Sequence, residues 1–238
     1  MKDKTILIGG CSYSESHKPP NSIRPYDYSD WDDSKVWYPW TDMLDDDFGD
    51  GNNIINLARS SAGQSTIVSS LMKKLIELDF KVDLILVQWS SPARIFAEKE
   101  SDILESIKGQ GIDLLANKGI DVFTQEYYDE LTNLGYDIAF NSFLQIYLFM
   151  NVLKSKKIKY KFFWGWSVSH TVSKYKFLFD LIYDENFILI NEYGSMHGYA
   201  NRHLGVENTN VSHLNNHPNT KSHLLFYNNI IKPMITKY

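Results

Sequence analysis

The segment TILIGGCSYS, residues 5–14, decides the fold of this chain. Apolar and β-branched residues run into two glycines and then into a short polar turn, which predicts a buried first strand that ends in a tight turn. In open α/β sheets, ligands bind just outside the carboxyl ends of the strands. Ser12 lies at that point, after glycines that let the backbone bend, and is a candidate nucleophile. From this segment alone, an ordinary strand-to-loop junction explains the residues equally well.

The composition is that of an ordinary globular protein. Of the 238 residues, 43% are apolar and 22% are charged, which predicts one domain over residues 1–238 with a large core. The net charge of −5 gives no reason to expect nucleic acid or an anionic membrane as a partner. A single cysteine, Cys11, excludes an intramolecular disulfide framework and a cysteine-rich zinc site.

Two further segment types are not expected in this chain. No run approaches the ~20 apolar residues that cross a bilayer. The first four residues lead directly into a strand, without the apolar stretch of a signal peptide. We therefore expect no membrane segment. The expected location is cytoplasmic or virion-associated, and the second alternative rests on a resemblance described below.

Apolar runs and helical spacing predict an alternation of strands and helices. After the first strand, the predicted strands are Asn53–Ala58, Val82–Trp89, Tyr160–Gly165 and Phe187–Ile190. The predicted helices are Trp37–Phe48, Ser65–Leu78, Ser101–Lys118, Asp137–Lys154, Lys174–Tyr183 and Thr220–Thr236. This order predicts an α/β protein, a three-layer α/β/α sandwich of the flavodoxin-like kind with about five parallel strands.

Polar, Gly-rich or Pro-rich stretches predict loop insertions at about 15–35, 119–136 and 193–216. Because the first and last of these adjoin the carboxyl edge of the predicted sheet, we expect Glu15–Lys35 and Tyr193–Asn216 to wall a cleft there. Ser12, Gly63 and His217 follow strand ends or precede the last helix. The Ser12 and His217 side chains are therefore predicted to lie within hydrogen-bond reach, ~2.6–3.5 Å.

Four segments in order resemble the SGNH (GDSL-like) hydrolases. Gly10-Cys11-Ser12 matches the family's Gly-Asp-Ser turn, with Cys11 in place of the Asp. Asn56-Leu57-Ala58 followed by Gly63 resembles the Asn-x-Ala…Gly loop after the second strand. The third segment, Gln88-Trp89-Ser90, falls where the family has Gly-x-Asn-Asp, and this chain lacks that Asn. The fourth, His217-Pro218, resembles the Asp-x-x-His-Pro segment, with Leu214 in place of the Asp. The pattern is closest to phage-encoded members.

The resemblance implies a serine esterase-type hydrolase that removes an O-acyl group, with a small-molecule or carbohydrate ester as substrate and no cofactor or metal. It makes Ser12 the nucleophile and His217 the general base, since a serine hydroxyl needs an adjacent base. The oxyanion-hole candidates are the backbone N–H groups of Ser12 and Gly63, with a side chain from Gln88 or Ser90. Asn215 is the candidate that orients the histidine. Trp89 and Arg94 are candidate substrate contacts.

Three other functions are compatible with the same residues. The missing Asp and Asn favour a weak or inactive SGNH-fold binding or structural protein, for example a phage virion component. The Gly9-Gly10-Cys11-Ser12 turn also suggests a flavodoxin-like nucleotide binder. The irregularly spaced histidines His197, His203 and His213, with Glu192 and Glu207, suggest a metal site. A purely structural histidine is the interpretation of His223, one turn into the last helix.

Overall fold

The structure is a computed structural model. It describes residues 2–18, 37–60, 62–92, 137–166, 168, 175–188, 195–206, 209 and 217–237. The predicted helix 101–118, the insertion 119–136 and most of the stretch 15–35 lie outside these residues.

The described part of the chain is built on a parallel sheet of four strands. These are β1 (Thr5–Gly9), β2 (Asn53–Asn56), β3 (Leu84–Trp89) and β4 (Lys159–Trp164). Their order is β2-β1-β3-β4, and each neighbouring pair is parallel. The predicted α/β fold with a parallel sheet is therefore confirmed.

The predicted fifth strand is present in the described residues as a single bridge. Phe187 pairs in parallel with Phe162, and the Ile188 N–H donates to the Phe162 carbonyl at 2.7 Å. Leu189 and Ile190 lie outside the described residues. The bridge continues the sheet beyond β4, at the place where a 2-1-3-4-5 strand order has its last strand.

Helices cover both faces of the sheet. They are α1 (Trp40–Phe48), α2 (Gln64–Glu77), α3 (Ile138–Ser155), α4 (Lys176–Ile182), α5 (Met196–Leu204), α6 (Thr220–Phe226) and α7 (Lys232–Ile235), with a π-helical turn (Tyr227–Ile231) between the last two. Among the described residues, no helix is both long and apolar enough to cross a membrane.

Helix α5 corrects the expectation that 193–216 is a loop. The Ser195 side chain accepts a hydrogen bond from the Gly198 N–H at 3.1 Å and so caps the helix. Met196, Tyr199 and Ala200 form its buried face. The abundance of Gly, Asn and His made the stretch resemble a loop, and a buried face of only three residues is too short to stand out as a period.

The alternation of side chains along β4 separates the two helical layers. Phe162 contacts Phe149 of α3, with ring centroids 6.2 Å apart. The next residue, Phe163, contacts Trp40 of α1 at 5.6 Å and Phe226 of α6 at 5.1 Å. Successive strand residues point to opposite faces, so α3 lies on one side of the sheet and α1 with α6 on the other.

The chain reverses its winding direction at the centre of the sheet. The first strand has β2 on one side and β3 on the other, so the loops that follow β1 and β3 leave in opposite directions and open a crevice between them. Such a switch point is where open α/β sheets bind ligands. Ser12, three residues beyond the last residue of β1, lies at this crevice.

Candidate active site

The Ser12 hydroxyl is hydrogen-bonded to an imidazole that is distant in sequence. Ser12 Oγ lies 3.0 Å from His217 Nε2, across a separation of 205 residues. The turn that carries Ser12 is closed by the Ser14 N–H, which donates to the Cys11 carbonyl at 2.9 Å. The predicted hydrogen-bond reach between the two side chains is confirmed.

Gln88 holds the turn that carries Ser12 from inside the protein. Its side chain is fully buried, and its Oε1 accepts from the Cys11 N–H at 3.4 Å and from the Ser14 hydroxyl at 3.2 Å. Its Nε2 donates to the carbonyl of Trp89 at 2.8 Å. The amide is therefore hydrogen-bonded to both the turn and the end of β3. Gln88 is thus a residue that positions the turn. This engagement argues against its use as the side-chain oxyanion donor.

Two glycines provide the space for the Gln88 amide. A Cβ on Gly165 would lie 2.1 Å from Gln88 Nε2, far closer than any real contact. A Cβ on Gly10 would lie 2.7 Å from Ser14 Cβ and 3.3 Å from Gln88 Oε1. The close packing of β1, β3 and β4 around this amide thus depends on the absence of side chains at both positions.

Ser14 connects the turn to two other elements. The indole N–H of Trp40 donates to Ser14 Oγ at 3.0 Å. The carbonyl of Ser14 accepts from Thr41 Oγ1 at 3.1 Å and from Asn56 Nδ2 at 2.8 Å. Helix α1 and the end of β2 therefore restrain the backbone of the turn, and Asn56 of the resembled motif has a positioning role.

The backbone N–H groups of Ser12 and Gly63 have no hydrogen-bond acceptor among the described residues. Gly63 is the N-cap of α2, with extended backbone and no side chain that caps the helix. The amides of a helix N-terminus are unsatisfied within the helix and carry partial positive charge. Both N–H groups are thus available to a developing oxyanion.

Ser90 lies next to the start of α2. Gln64, the first residue of that helix, is 1% exposed, and its Nε2 donates to the Ser90 carbonyl at 2.6 Å. The Ser90 hydroxyl is buried and has no partner among the described residues. The sequence suggests Gln88 or Ser90 as the side-chain oxyanion donor. The Gln88 amide is already hydrogen-bonded, whereas the Ser90 hydroxyl is not, so Ser90 is the better candidate of the two.

The loop that carries His217 is fixed at the start of α6. Asn219 caps that helix by accepting from the Ser222 N–H at 3.0 Å. Its own N–H donates to the Thr209 carbonyl at 2.7 Å, and the Ser222 hydroxyl donates to the same carbonyl at 2.9 Å. Two hydrogen bonds to one carbonyl thus hold the start of α6 against the Thr209 backbone. One of the two donors, the Asn219 N–H, lies two residues beyond His217.

Three aromatic rings surround the His217 imidazole in the described part of the site. The ring centroids of Trp37, Tyr13 and Trp166 lie 5.0, 5.4 and 6.2 Å from that of His217. The Trp37 plane is inclined by 35° to the imidazole, whereas the other two rings meet it nearly edge to face, at 71° and 90°. We name Tyr13, Trp37 and Trp166 the aromatic cage.

Two further histidines pack behind the cage. His17 meets Trp37 edge to face at 4.7 Å, and His223 stacks with it at 6.3 Å. Burial holds the pKa of His223 well below 6.5 and also lowers the pKa of His17. His223 Nδ1 accepts from the Trp40 N–H at 3.3 Å, as a neutral imidazole does. His223 is thus a buried helix residue that packs the site from behind.

A buried carboxyl anchors the chain that leaves the Ser12 turn. Asp42 of α1 is 2% exposed, and its Oδ2 accepts from the His17 N–H at 3.0 Å. Burial raises the pKa of this carboxyl, and its hydrogen bonds oppose the shift. This hydrogen bond holds His17 next to Trp37. From the sequence, Asp42 is recognisable only as an acidic residue in the first turn of a helix.

Trp89 does not face the crevice. Its side chain is fully buried against Phe149 of α3 and Phe162 of β4, at centroid distances of 6.3 and 5.1 Å. Because neighbours in a strand point to opposite faces, a strand that turns Gln88 toward Ser12 turns Trp89 away. This placement corrects the expectation that Trp89 contacts substrate. The other residues assigned from sequence, Arg94 and Asn215, lie outside the described residues.

The single Cys11 thiol and the metal site suggested by the sequence have no structural support as reactive centres within the described residues. The Cys11 side chain is fully buried, with Sγ 3.3 Å from Gln88 Oε1. In the described part of the chain, no three His, Cys, Asp or Glu side chains are grouped so that they could hold a metal. Of the proposed metal ligands, Glu192, Glu207 and His213 lie outside that part.

Comparisons with known proteins found similar chains among solved structures. No protein-family profile matches the chain, and no curated protein sequence matches it. Among solved structures, it is similar to the psychrotrophic esterase EstA from Pseudoalteromonas sp., with 11% identity, 98% of each chain covered and a TM-score of 0.49. An acetyl xylan esterase from Geobacillus stearothermophilus has 9% identity, coverage of 97% of this chain and 94% of that one, and a TM-score of 0.46.

A candidate GDSL-like lipase from Parabacteroides merdae is also similar, with 14% identity, coverage of 95% of this chain and 93% of that one, and a TM-score of 0.42. Likenesses at identities of 9–14% and TM-scores below 0.5 assign no function to this chain.

Sequence reasoning missed the aromatic cage and the positioning role of Gln64. Trp166 follows β4 directly, so its place at the carboxyl edge could have been inferred from the strand end. Trp37 precedes α1, and no local sequence pattern points to the site. The cage forms because two backbone N–H groups, of Tyr38 and Trp40, donate to Thr220 Oγ1 at 2.8 Å and to His223 Nδ1. These bonds hold the segment before α1 against the start of α6.

Proposed function

We propose that this chain is a serine esterase-type hydrolase that removes an O-acyl group through a covalent acyl-serine intermediate. The observation that carries the proposal is the 3.0 Å separation of Ser12 Oγ and His217 Nε2, at the sheet edge where α/β folds bind ligands. A nucleophile in hydrogen-bond reach of its base is the geometric requirement for such chemistry. The available N–H groups of Ser12 and Gly63 add the oxyanion donors.

In the proposed reaction, His217 Nε2 takes the hydroxyl proton while Ser12 Oγ forms a bond to the acyl carbon. The carbonyl electron pair moves onto oxygen, where the Ser12 and Gly63 N–H groups and the Ser90 hydroxyl donate hydrogen bonds. The ester C–O bond then breaks, and the leaving alkoxide takes the proton from His217. Water repeats the sequence on the acyl-serine and releases the carboxylic acid.

We infer a small-molecule or carbohydrate O-acyl ester as the substrate. One aromatic side chain at the site supports this inference, because the half-buried Trp166 ring lies beside the His217 imidazole, with ring centroids 6.2 Å apart. Arg94, which follows β3, stays a proposed substrate contact. No cofactor enters the proposed reaction.

The imidazole needs a group that fixes its tautomer, and Leu214 cannot accept a hydrogen bond. We propose the Asn215 side chain or a backbone carbonyl of 213–216 for this role. A neutral partner stabilises the imidazolium less than a carboxylate does, so turnover is expected to be slow. Leu214→Asp restores the Asp-x-x-His spacing and is expected to raise the rate about tenfold or more.

Hydrolysis of p-nitrophenyl acetate by purified wild type, Ser12→Ala and Leu214→Asp tests the proposal. Ser12→Ala is expected to lower kcat by at least ~10³-fold. The matched control is Ser65→Ala. The Ser65 hydroxyl lies on the exposed surface of α2 and donates to Gln145 of α3, so its loss is expected to leave the rate unchanged. Equal rates for wild type and Ser12→Ala, with no gain in Leu214→Asp, would contradict the proposal.

A non-catalytic binding or structural role, for example in a phage virion, is the second candidate. The observations that favour it are the Leu at position 214 and the absence of Asn after β3, both of which weaken the catalytic machinery of the resembled family. This candidate predicts that ester hydrolysis by the wild type equals that of Ser12→Ala. The same assay therefore separates the two functions.

A further inference from the structure

We propose that Trp37 stabilises the protonated form of His217 during the reaction, through the π-face of its indole ring. This inference rests on the proposed function, because it concerns the charge that forms on His217 when Ser12 gives up its proton. Trp37 acts through the histidine and makes no contact with substrate in this account. The Trp37 ring would stabilise the positive charge on His217, as the carboxylate does in an Asp–His pair.

The geometry of the ring pair supports the proposal. The centroids of Trp37 and His217 are 5.0 Å apart, and their planes are inclined by 35°. A cation within about 6 Å of an aromatic centroid is attracted by the ring quadrupole, and tryptophan is the best such partner. The Trp37 side chain is 3% exposed, so solvent screens the attraction only weakly.

The indole is held in place by contacts on its other sides. His17 meets its ring edge to face, and His223 stacks with it. The Tyr38 N–H, one residue along, donates to Thr220 Oγ1 at 2.8 Å. Trp37 is therefore fixed against the start of α6, the helix that follows His217.

The charges near Trp37 single out His217 as the imidazole that becomes cationic. Burial lowers the pKa of both His17 and His223, so these two neighbours stay neutral around the indole. His217 alone of the three is bonded to the Ser12 hydroxyl and receives its proton. The Asp42 carboxyl, which also lies behind the cage, is bonded to the His17 N–H.

Stepwise fluorination of one indole tests the proposal without changing its shape. Trp37 is replaced, by nonsense suppression in the full chain, with mono-, di- and trifluorotryptophan, which progressively weaken the π-face quadrupole. We expect kcat for p-nitrophenyl acetate to fall with each fluorine, by about threefold to tenfold over the series, while KM stays constant. The same series at Trp89, which is fully buried on the opposite face of the sheet, is the matched control and is expected to leave kcat unchanged.

A second readout does not depend on turnover. The imidazole ¹⁵N signals of His217 are followed against pH in each Trp37 variant, with His203 of α5, which packs on Tyr199, as the reference in the same spectra. We expect the protonation midpoint of His217 to move to lower pH along the series, by about half a pH unit.

The outcomes distinguish this inference from the proposed function. Turnover that depends on Ser12 but is constant across the Trp37 series overturns the role of Trp37 and leaves the hydrolase proposal intact. If the wild type shows no turnover that depends on Ser12, the hydrolase proposal fails, and the ¹⁵N midpoints decide the electrostatic contact by themselves. A constant midpoint across the series overturns that contact as well.

Discussion

The two halves of the candidate site are built from different kinds of contact. Four side chains hydrogen-bond to the turn that carries Ser12: Gln88, Trp40, Thr41 and Asn56. In the described part of the chain, His217 is instead surrounded by the rings of Tyr13, Trp37 and Trp166. Hydrogen bonds fix direction and distance closely, whereas ring contacts exclude water and tolerate small shifts.

The difference suggests a division of labour across the Ser12–His217 hydrogen bond. In the proposed reaction the turn holds Oγ and the N–H of Ser12 in one geometry for both attack and oxyanion binding, and directional bonds suit that task. In the same proposal His217 changes charge during each turnover, and the π-faces of the surrounding aromatic rings suit that change. Substitutions in the two halves should therefore produce different signatures.

The largest expected effect is at the centre of the hydrogen-bonded half. Gln88→Leu removes the buried acceptor of the Cys11 N–H and the Ser14 hydroxyl, and the donor to the Trp89 carbonyl. The Trp89 carbonyl keeps the Gly165 N–H as a donor at 2.9 Å, so the Cys11 N–H and the Ser14 hydroxyl are the two groups that lose a buried acceptor. Each such group costs about 1–3 kcal/mol, so the free energy of unfolding is expected to fall by about 2–6 kcal/mol. Urea unfolding followed by circular dichroism measures this loss.

Gln145→Leu is the matched control for Gln88→Leu. Its Oε1 accepts from the Ser65 hydroxyl at an exposed site, where substitutions usually change stability by about 0.5 kcal/mol or less. If the two glutamine variants were equally stable, the turn would not depend on buried hydrogen bonds.

A smaller effect is expected when the same amide is displaced. Gly165→Ala places a Cβ 2.1 Å from Gln88 Nε2, and overpacking of this kind costs about 1–3 kcal/mol. The urea midpoint measures the loss. In a Gln88→Ala background the added methyl group has room, so the two substitutions should be less than additive. Full additivity would show that Gly165 matters for some reason other than the Gln88 amide.

The smallest effect concerns pH and lies in the aromatic half. His223 has a folded-state pKa well below 6.5 because it is buried. Below pH 6.5 the unfolded chain therefore binds more protons at this residue than the folded chain, and stability falls as pH falls. The slope attributable to one such group is at most about 1.4 kcal/mol per pH unit.

His223→Asn tests this pH dependence because its side-chain oxygen can accept from the Trp40 N–H as His223 Nδ1 does. Urea unfolding between pH 7 and pH 5 is expected to give a shallower slope for the variant than for wild type. His17 contributes with the same sign and Asp42, whose carboxyl pKa is raised by burial, with the opposite sign. Both residues are present in each protein, so identical slopes would contradict the assignment to His223.

The comparison also explains which parts of the site could be predicted from sequence. The turn at Ser12 is local, since a strand, two glycines and a serine are consecutive, and the parallel sheet follows from the alternation of apolar runs. Likewise, the meeting of Ser12 with His217 follows from loops that share one edge of the sheet. These predictions depend on period and order alone.

Other features depend on contacts between distant segments. The alternation of side chains along a strand predicts that Gln88 and Trp89 face opposite sides of the sheet. Which of the two faces the Ser12 turn depends on the packing of α3 against Trp89. Trp37 reaches His217 because the segment before α1 is bonded to the start of α6. Helix α5 was hidden by its loop-like composition. No pattern within a single segment encodes these arrangements.

Covalent labelling with a fluorophosphonate tests most directly whether Ser12 is a nucleophile activated by His217. Intact mass and peptide mapping should show one phosphonyl adduct, on the peptide that contains Ser12. The adduct should be absent in Ser12→Ala and should form far more slowly in His217→Gln, while Ser65→Ala should label like the wild type. A wild-type protein that stays unlabelled, or an adduct on another residue that persists in Ser12→Ala, would contradict the claim.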